Sequence, residues 1–442
     1  MSSSKFLEIR PNNVPSARNG GISHRNGLPV ISFTIGSQNA LLDMSSIRLV
    51  GELNFWINSE GSTRPTSINA SSLTASHKLG VYGAIEQLTW RNSKTKQITE
   101  SIRSYGRFMS SFLPVMSSKE DAIGHLSETA LVYNSGDSFK VNVIRSTAGN
   151  SFSIPLPCGM TLGGEPLELF ENSFGGVECE ISLVPDSQFF YSDDADTTRA
   201  YIQNAFYEFT NLKIVCEVHI PPPDQLSQMM ARTEGTYTFN SIVSLYSTIQ
   251  SSNAIISYNL GLSNVISAFI NFVPSSFINN LAQDGYLTYY PSFKTAGTIG
   301  SVDQVIFLKN GERHPYNFDI NANTKNQSGV TVSDPQIQKT FLNSIMPESD
   351  HVRSNVSPAT SNRNYTVSSA NNSYGNMPNM GATVGVGVLY DMLDSSGENF
   401  KNEQFGVQMI TTVTDANPTS AYLFVKSRQT MLFNAQGIQI IQ

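Results

Sequence analysis

The sequence predicts an all-β protein built as two tandem antiparallel sandwiches. Three observations point there: two-residue hydrophobic alternation recurs along the chain, polar loops rich in Ser, Thr and Asn separate the runs, and the second half repeats the plan of the first. At 442 residues and 48.4 kDa, the chain divides comfortably into two domains of about 220 residues. Each half is large enough to hide roughly 70% of its unfolded surface, so neither disulfides nor metal are required to hold it. Only 14% of residues are charged while 10% are aromatic, against roughly 25% charged in an average soluble chain. That balance suits sheets with apolar interiors and uncharged polar exteriors.

Residues 1–26 read as an extended tail, because Pro11, Pro15, Gly20 and Gly21 interrupt any periodicity. Alternation begins with Ile31, Phe33 and Ile35, and a longer run over 47–58 sets Ile47, Leu49, Leu53, Phe55 and Ile57 on one face with Gly51. Arg48, Glu52 and Asn54 share the other face, which marks a long half-buried strand. The period returns at Phe139, Val141 and Val143, at Val177, Cys179, Ile181 and Leu183, and at Leu212, Ile214, Cys216, Val218 and Ile220. Helical interruptions are expected over 99–113, from Ser118, where Ser118 can cap and Glu120 and Asp121 suit the positive end of the dipole, and over 197–209.

Pro221, Pro222 and Pro223 can neither continue a ladder nor enter a helix interior, so the linker is placed at 221–235. The first sandwich is then 27–220 and the second 236–442. The second half opens with a strand over 236–245, followed by Ile266, Ala268, Ile270 and Phe272 in alternation with Ser267 and Asn271. Asn310-Gly311 between two extended segments matches the positive-φ demand of a tight hairpin. Asp334-Pro335 opens a helix with Ile337, Phe341 and Ile345 on one face. Six Ser and seven Asn among residues 354–380 mark a long exposed loop. Strands resume over 384–390, 406–412, 421–425 and 437–441.

The sequence carries no catalytic constellation of a familiar kind. The chain has no GxSxG elbow, no GxxxxGK phosphate loop and no HExxH. The six histidines, His24, His77, His125, His219, His314 and His351, have no ligand-spaced partners in sequence; His219 reads as a strand-edge residue and His314 as a loop residue. Asp193, Asp194 and Asp196 lack the glycine and terminal glutamate of a calcium loop. The glycines of CGMTLGG and GATVGVGV read as turns or strand kinks. No catalytic, cofactor-binding or metal-binding residue is assigned, and no cofactor is expected. Cys158, Cys179 and Cys216 form no CxxC pair and read as small buried hydrophobes of a protein made in a reducing compartment. The net charge of −7, with no polybasic arm, argues against strong direct nucleic-acid binding. The N-terminus has no signal-peptide core and no stretch is apolar enough to span a membrane, so a soluble intracellular product is expected. Five Asn-x-Ser/Thr sequons do not alter that reading in so Asn-rich a chain.

Several segments, in order, resemble the double jelly-roll major capsid proteins of tailless icosahedral DNA viruses, most of all those of Polinton-like viruses and virophages. They are VISFTIG (30–36), ALLDMSSIRLVGELNFWIN (40–58), GAIEQLTWRNSKTKQITESIRSYGRFM (83–109), FSIPLPCGMTLGGEPLEL (152–169), GGVECEISLV (175–184), TNLKIVCEVHI (210–220) and VIFLKNGERHPYNFDI (305–320). In the third, the strand followed by Glu100, Ile102 and Tyr105 is similar to the family's strand-to-helix step. The resemblance implies two tandem eight-stranded antiparallel jelly rolls with short helices in the loops. It implies a homotrimer forming a pseudo-hexagonal capsomer that tiles a virion shell, with penton and other minor capsid proteins as partners. The loop 354–380 would then be an outward tower and the N-terminal tail would lie inside. Two other classes share parts of the pattern. A tandem β-sandwich binding module, lectin-like or adhesin-like, would more often carry a secretion signal; an enzyme on a cupin-type scaffold would need a clustered His/Glu set.

Overall fold

The computed structural model describes residues 3–14, 21–25, 27–56, 73–75, 79–116, 129–131, 150–192, 206–232, 234–278, 286, 302–321, 323–325, 331–333, 340–341, 343–345, 385–390, 397–411, 418–434 and 437–441. The strands of the first half are β1 (Ser3–Ile9), β2 (Val30–Gly36), β3 (Leu41–Trp56), β4 (Leu73–Ala75), β5 (Ile85–Asn92), β6 (Ile98–Arg103), β7 (Asn150–Pro155), β8 (Leu167–Glu168), β9 (Gly176–Leu183), β10 (Phe190–Ser192) and β11 (Phe206–Ile220). Those of the second are β12 (Glu234–Ile249), β13 (Asn253–Tyr258), β14 (Val265–Pro274), β15 (Val302–Lys309), β16 (Glu312–Arg313), β17 (Ile320–Asn321), β18 (Asn323–Lys325), β19 (Thr331–Ser333), β20 (Val386–Leu389), β21 (Phe405–Thr411), β22 (Thr419–Asn434) and β23 (Gly437–Ile441). Four helices are named here: α1 (Tyr105–Met116), α2 (Gly159–Leu162), α3 (Asp186–Phe189) and α4 (Pro223–Ala231).

Two antiparallel sheets face each other in each half. In the first they run β1-β11-β3-β7, with β8 added to β3, and β2-β9-β5-β6. In the second they run β12-β22-β14-β20, with β23 added to β22, and β13-β21-β15-β16, with β17 added to β15. Ranking the eight sandwich strands of each half in chain order gives the same two sequences of ranks in both halves, 1-8-3-6 and 2-7-4-5. That is the jelly-roll order, in which the opening strand lies beside the closing one.

Alternation fixes which face points inward. Ile31, Phe33 and Ile35 of β2, and Ile214, Cys216 and Val218 of β11, are buried while their sequence neighbours are half-exposed. On β3 the buried set changes phase, from Leu42 and Met44 to Ile47, Leu49 and Leu53. A bulge opposite the step from Val215 to Glu217 absorbs the change. The second interior is built from Ala268, Ile270, Phe272, Val305, Phe307, Val407, Met409, Leu423 and Val425. Asn310 (φ 52°) and Gly311 (φ 85°) form the tight turn between β15 and β16 that their sequence predicts.

Three expectations are corrected. Residues 3–9, read within an extended tail, form β1 and pair with β11 over their whole length; β1 has almost no buried face, so it leaves no alternation to read. Residues 98–103 are strand, not helix. A turn in which Asn92 Oδ1 accepts the amides of Lys94 and Thr95 at 2.9 and 2.8 Å folds β6 back on β5, and helix begins only at Tyr105. Residues 206–209 belong to β11 rather than to a helix. The stretch 221–235 holds α4, which is compatible with the prolines there because Pro223 sits at its first position, where a missing N–H costs nothing. The helix expected from Ser118, the Phe139–Val143 alternation, Asp193, Asp194, Asp196 and the loop 354–380 lie outside the described residues, as do 334–339; residues 340, 341 and 343–345 are helical, with Phe341 and Ile345 buried.

Candidate functional site

The seam between the two rolls joins them through buried polar and aromatic contacts. It begins with β6, which carries Glu100 into the interior at 3% exposure. Glu100 Oε1 accepts the amides of Gly159 (3.0 Å) and Ile242 (2.8 Å), and Oε2 accepts that of Met160 (2.9 Å). One carboxylate thus ties β6 and the first turn of α2, both in the first half, to β12 of the second. Burial pushes the carboxyl's pKa up, and the three amide hydrogen bonds oppose that rise. Gly159 has to be glycine, since a Cβ there would lie 2.1 Å from the carbonyl oxygen of Asn240 on β12. Tyr237 Oη donates to the Met160 carbonyl (2.7 Å), and the Arg103 amide donates to Ser244 Oγ (2.8 Å), extending the same stitching.

Helix α1 supplies the apolar part. Its aromatic face rests on the second roll: Phe108 packs against Phe269 and Phe424 with ring centroids 6.2 and 5.6 Å apart, and Phe269 and Phe424 are themselves 5.2 Å apart. Phe112 stacks on Phe108 at 5.0 Å. Arg107, 2% exposed, lies between the rings of Tyr286 and Tyr422 at 4.9 and 5.1 Å, an arrangement that compensates a desolvated guanidinium. Ser111 Oγ donates to Asn271 Oδ1 (2.7 Å), and Asn271 Nδ2 donates to the Arg107 carbonyl (3.1 Å). Residues of both halves therefore belong to one continuous buried cluster. A seam that is packed like an interior and pinned by buried polar groups makes the two rolls one rigid body.

The residues of potential chemical interest are scattered. His314 is not a free loop residue: Nε2 lies 3.0 Å from Glu398 Oε2 and its ring stacks on Tyr390. Lys309 reaches both Glu398 and Glu403 at 2.5 Å. Burial pushes the Glu398 carboxyl up, but the hydrogen bonds and charges of Lys309 and His314 carry it below its usual value. Cys158, Cys179 and Cys216 are buried and free, and burial raises each thiol. His219 sits on β11 at the sheet face, with Nδ1 2.8 Å from Ser4 Oγ on β1. Among the described residues, one set of metal-ligand type converges, Asp43, Glu217 and His219, with a ligand atom from each within 4.8 Å of the others. Sequence reasoning missed it, although Glu217-x-His219 on a strand puts two ligand types on one face. His77, His125 and His351 lie outside the described residues.

No protein-family model matches the chain, and no curated protein matches it in sequence. Solved structures do match it in fold. One is PBCV-1 VP54, as fitted into a cryo-EM reconstruction of the virophage Sputnik, with a TM-score of 0.59 at 10% identity over 100% of this chain and 97% of that one. The Faustovirus major capsid protein matches with a TM-score of 0.54 at 7% identity, covering 98% and 91%. A chain of the Sputnik virophage, from its cryo-EM structure, matches with 0.52 at 11%, covering 99% and 88%. With the strand order above, these likenesses define the chain as a double jelly roll with short helices between strands.

Proposed function

We propose that this protein is a major capsid protein that trimerises into pseudo-hexagonal capsomers and assembles into an icosahedral virion shell. The observation that carries the reading is the fusion of two rolls of identical strand order through a desolvated seam, over a length matched end to end by viral capsid chains. Two similar rigid wedges per chain, taken three times, give a tile of nearly sixfold outline, which packs hexagonally with few distinct contacts. The division into a first roll, a joint at 221–235 and a second roll over 236–442 belongs to this reading, with β1 counted in the first roll. The low charge content allows copies to approach without strong repulsion. The net charge of −7 leaves genome contact weak or delegated to other proteins, and penton and minor capsid proteins are the partners expected at the shell's vertices and inner face. Among the described residues, no helix is long and apolar enough to cross a membrane. The reading assigns the protein a structural role and no catalytic one.

Light-scattering mass of the purified protein, combined with negative-stain electron microscopy, tests the proposal. The expected result is a particle of three times the 48.4 kDa chain mass with a pseudo-hexagonal outline. A stable monomer giving no such particles under any assembly condition refutes it.

A further inference from the structure

The face of the β1-β11-β3 sheet opposite Cys216 and Val218 carries a set of side chains that the seam and the strand pattern do not explain. Glu217 of β11 lies directly across from Asp43 of β3. Like charges placed opposite each other destabilise a strand pair, and among the described residues neither carboxylate has a lysine or arginine ion-pair partner. The His219 ring lies two residues along the same face, with Nδ1 3.8 Å from Glu217 Oε1. On the other side of β11, Ser4 of β1 is paired with His219 and Phe6 with Glu217. The bulge in β3 fixes Asp43, whose Oδ1 accepts the amide and hydroxyl of Ser45 at 2.9 and 2.6 Å. All three side chains are partly open to solvent.

We propose that Asp43, Glu217 and His219 bind a divalent cation of the zinc class on this face of the first roll. The donor set argues for the metal class. One imidazole nitrogen with two carboxylate oxygens suits a borderline cation, whereas Ca²⁺ and Mg²⁺ favour all-oxygen shells. The ligand atoms already lie within 4.8 Å of one another. Zinc bound at about 2.0–2.2 Å to each needs them roughly 1 Å closer at the widest, which rotation of half-exposed side chains supplies. The cation neutralises the opposed carboxylates and cross-links β3 to β11. Ser4 Oγ of β1 lies 2.8 Å from the same His219 Nδ1, so a cation bound at that nitrogen displaces this hydrogen bond and brings the Ser4 hydroxyl within reach of the metal. Three protein ligands leave a position for water, for the Ser4 hydroxyl or for a donor from a neighbouring copy.

The test is calorimetric titration of Zn²⁺ into the full-length protein after chelator treatment, alongside the variants H219A and D43N. The expected result is one saturable Zn²⁺ per chain, weakened at least tenfold in each variant. X-ray absorption at the zinc edge on the unaltered protein is the second measurement, so that the outcome does not depend on the variants folding; it should show a mixed N/O shell containing one imidazole. No saturable binding, binding unchanged in both variants, or a shell without imidazole overturns the proposal.

Discussion

Replacing Glu100 by Gln isolates the seam with almost no change of shape. The native carboxylate accepts three buried amides, from Gly159, Met160 and Ile242. Hydrogen bonds to a charged group contribute about 1.5–3 kcal/mol each. The amide side chain keeps one acceptor oxygen, which can hold the two amides at the Oε1 position, and turns an NH₂ toward the third. That leaves one buried N–H without an acceptor, at a cost of about 1–3 kcal/mol, and the two remaining bonds lose roughly half their strength with the charge. Removing a desolvated charge returns part of this, since burial opposes ionisation here. The net expectation is a loss of about 2–4 kcal/mol. At about 2 °C per kcal/mol, the low end for large domains, scanning calorimetry should show melting lowered by about 4–8 °C. Because the bonds cross between rolls, the transition should also broaden or split as the rolls lose coupling. A Gln variant that melts with the unaltered protein, or above it, would refute the claim that this carboxylate pins the seam.

Three further outcomes are expected. Phe108→Ala empties a site 1% exposed between Phe112, Phe269 and Phe424, and urea unfolding should show a loss of about 3–5 kcal/mol. Glu398→Gln removes a carboxylate whose pKa is lowered by Lys309 and His314 against burial. A depressed folded-state pKa contributes stability above the unfolded value of 4.5 that is lost as pH falls through the folded one, so the variant should melt lower than the unaltered protein at pH 7 and the gap should close in acid; because the side chain is about a quarter exposed, the effect is about 1 kcal/mol or less. A gap that persists below the carboxylate range would show that the pair is not the cause. Deleting 354–380 should leave the trimer mass intact by light scattering, whereas loss of trimers would show that the loop clasps neighbouring subunits.

The strands with one dry face were legible because burial on one side of a sheet imposes a period of two. β2, β9 and β11 read from Ile31, Val177 and Ile214 onward without ambiguity. Where neither face or both faces are dry, the period disappears. β1 exposes Ser3 to Phe6 in succession, so it reads as tail; β14 is buried at all ten positions, and only Ser267 and Asn271 leave it an alternation to read. The helix expected over 99–113 begins only at Tyr105, because residues 98–103 are strand. The surroundings of Glu100 are set by residues 59 and 142 positions away.

By itself the sequence determined the fold class, the doubling of the domain, the buried state of the three cysteines and the low, scattered charge, because each follows from composition or from local periodicity. Tertiary structure alone decided that the doubled domains form one body. The Glu100 pin, the Arg107 sandwich between Tyr286 and Tyr422, and the opposition of Asp43 to Glu217 each join residues more than a hundred positions apart. No local pattern encodes such pairings. They come from strand register within a closed sheet and from the packing of α1 on the second roll.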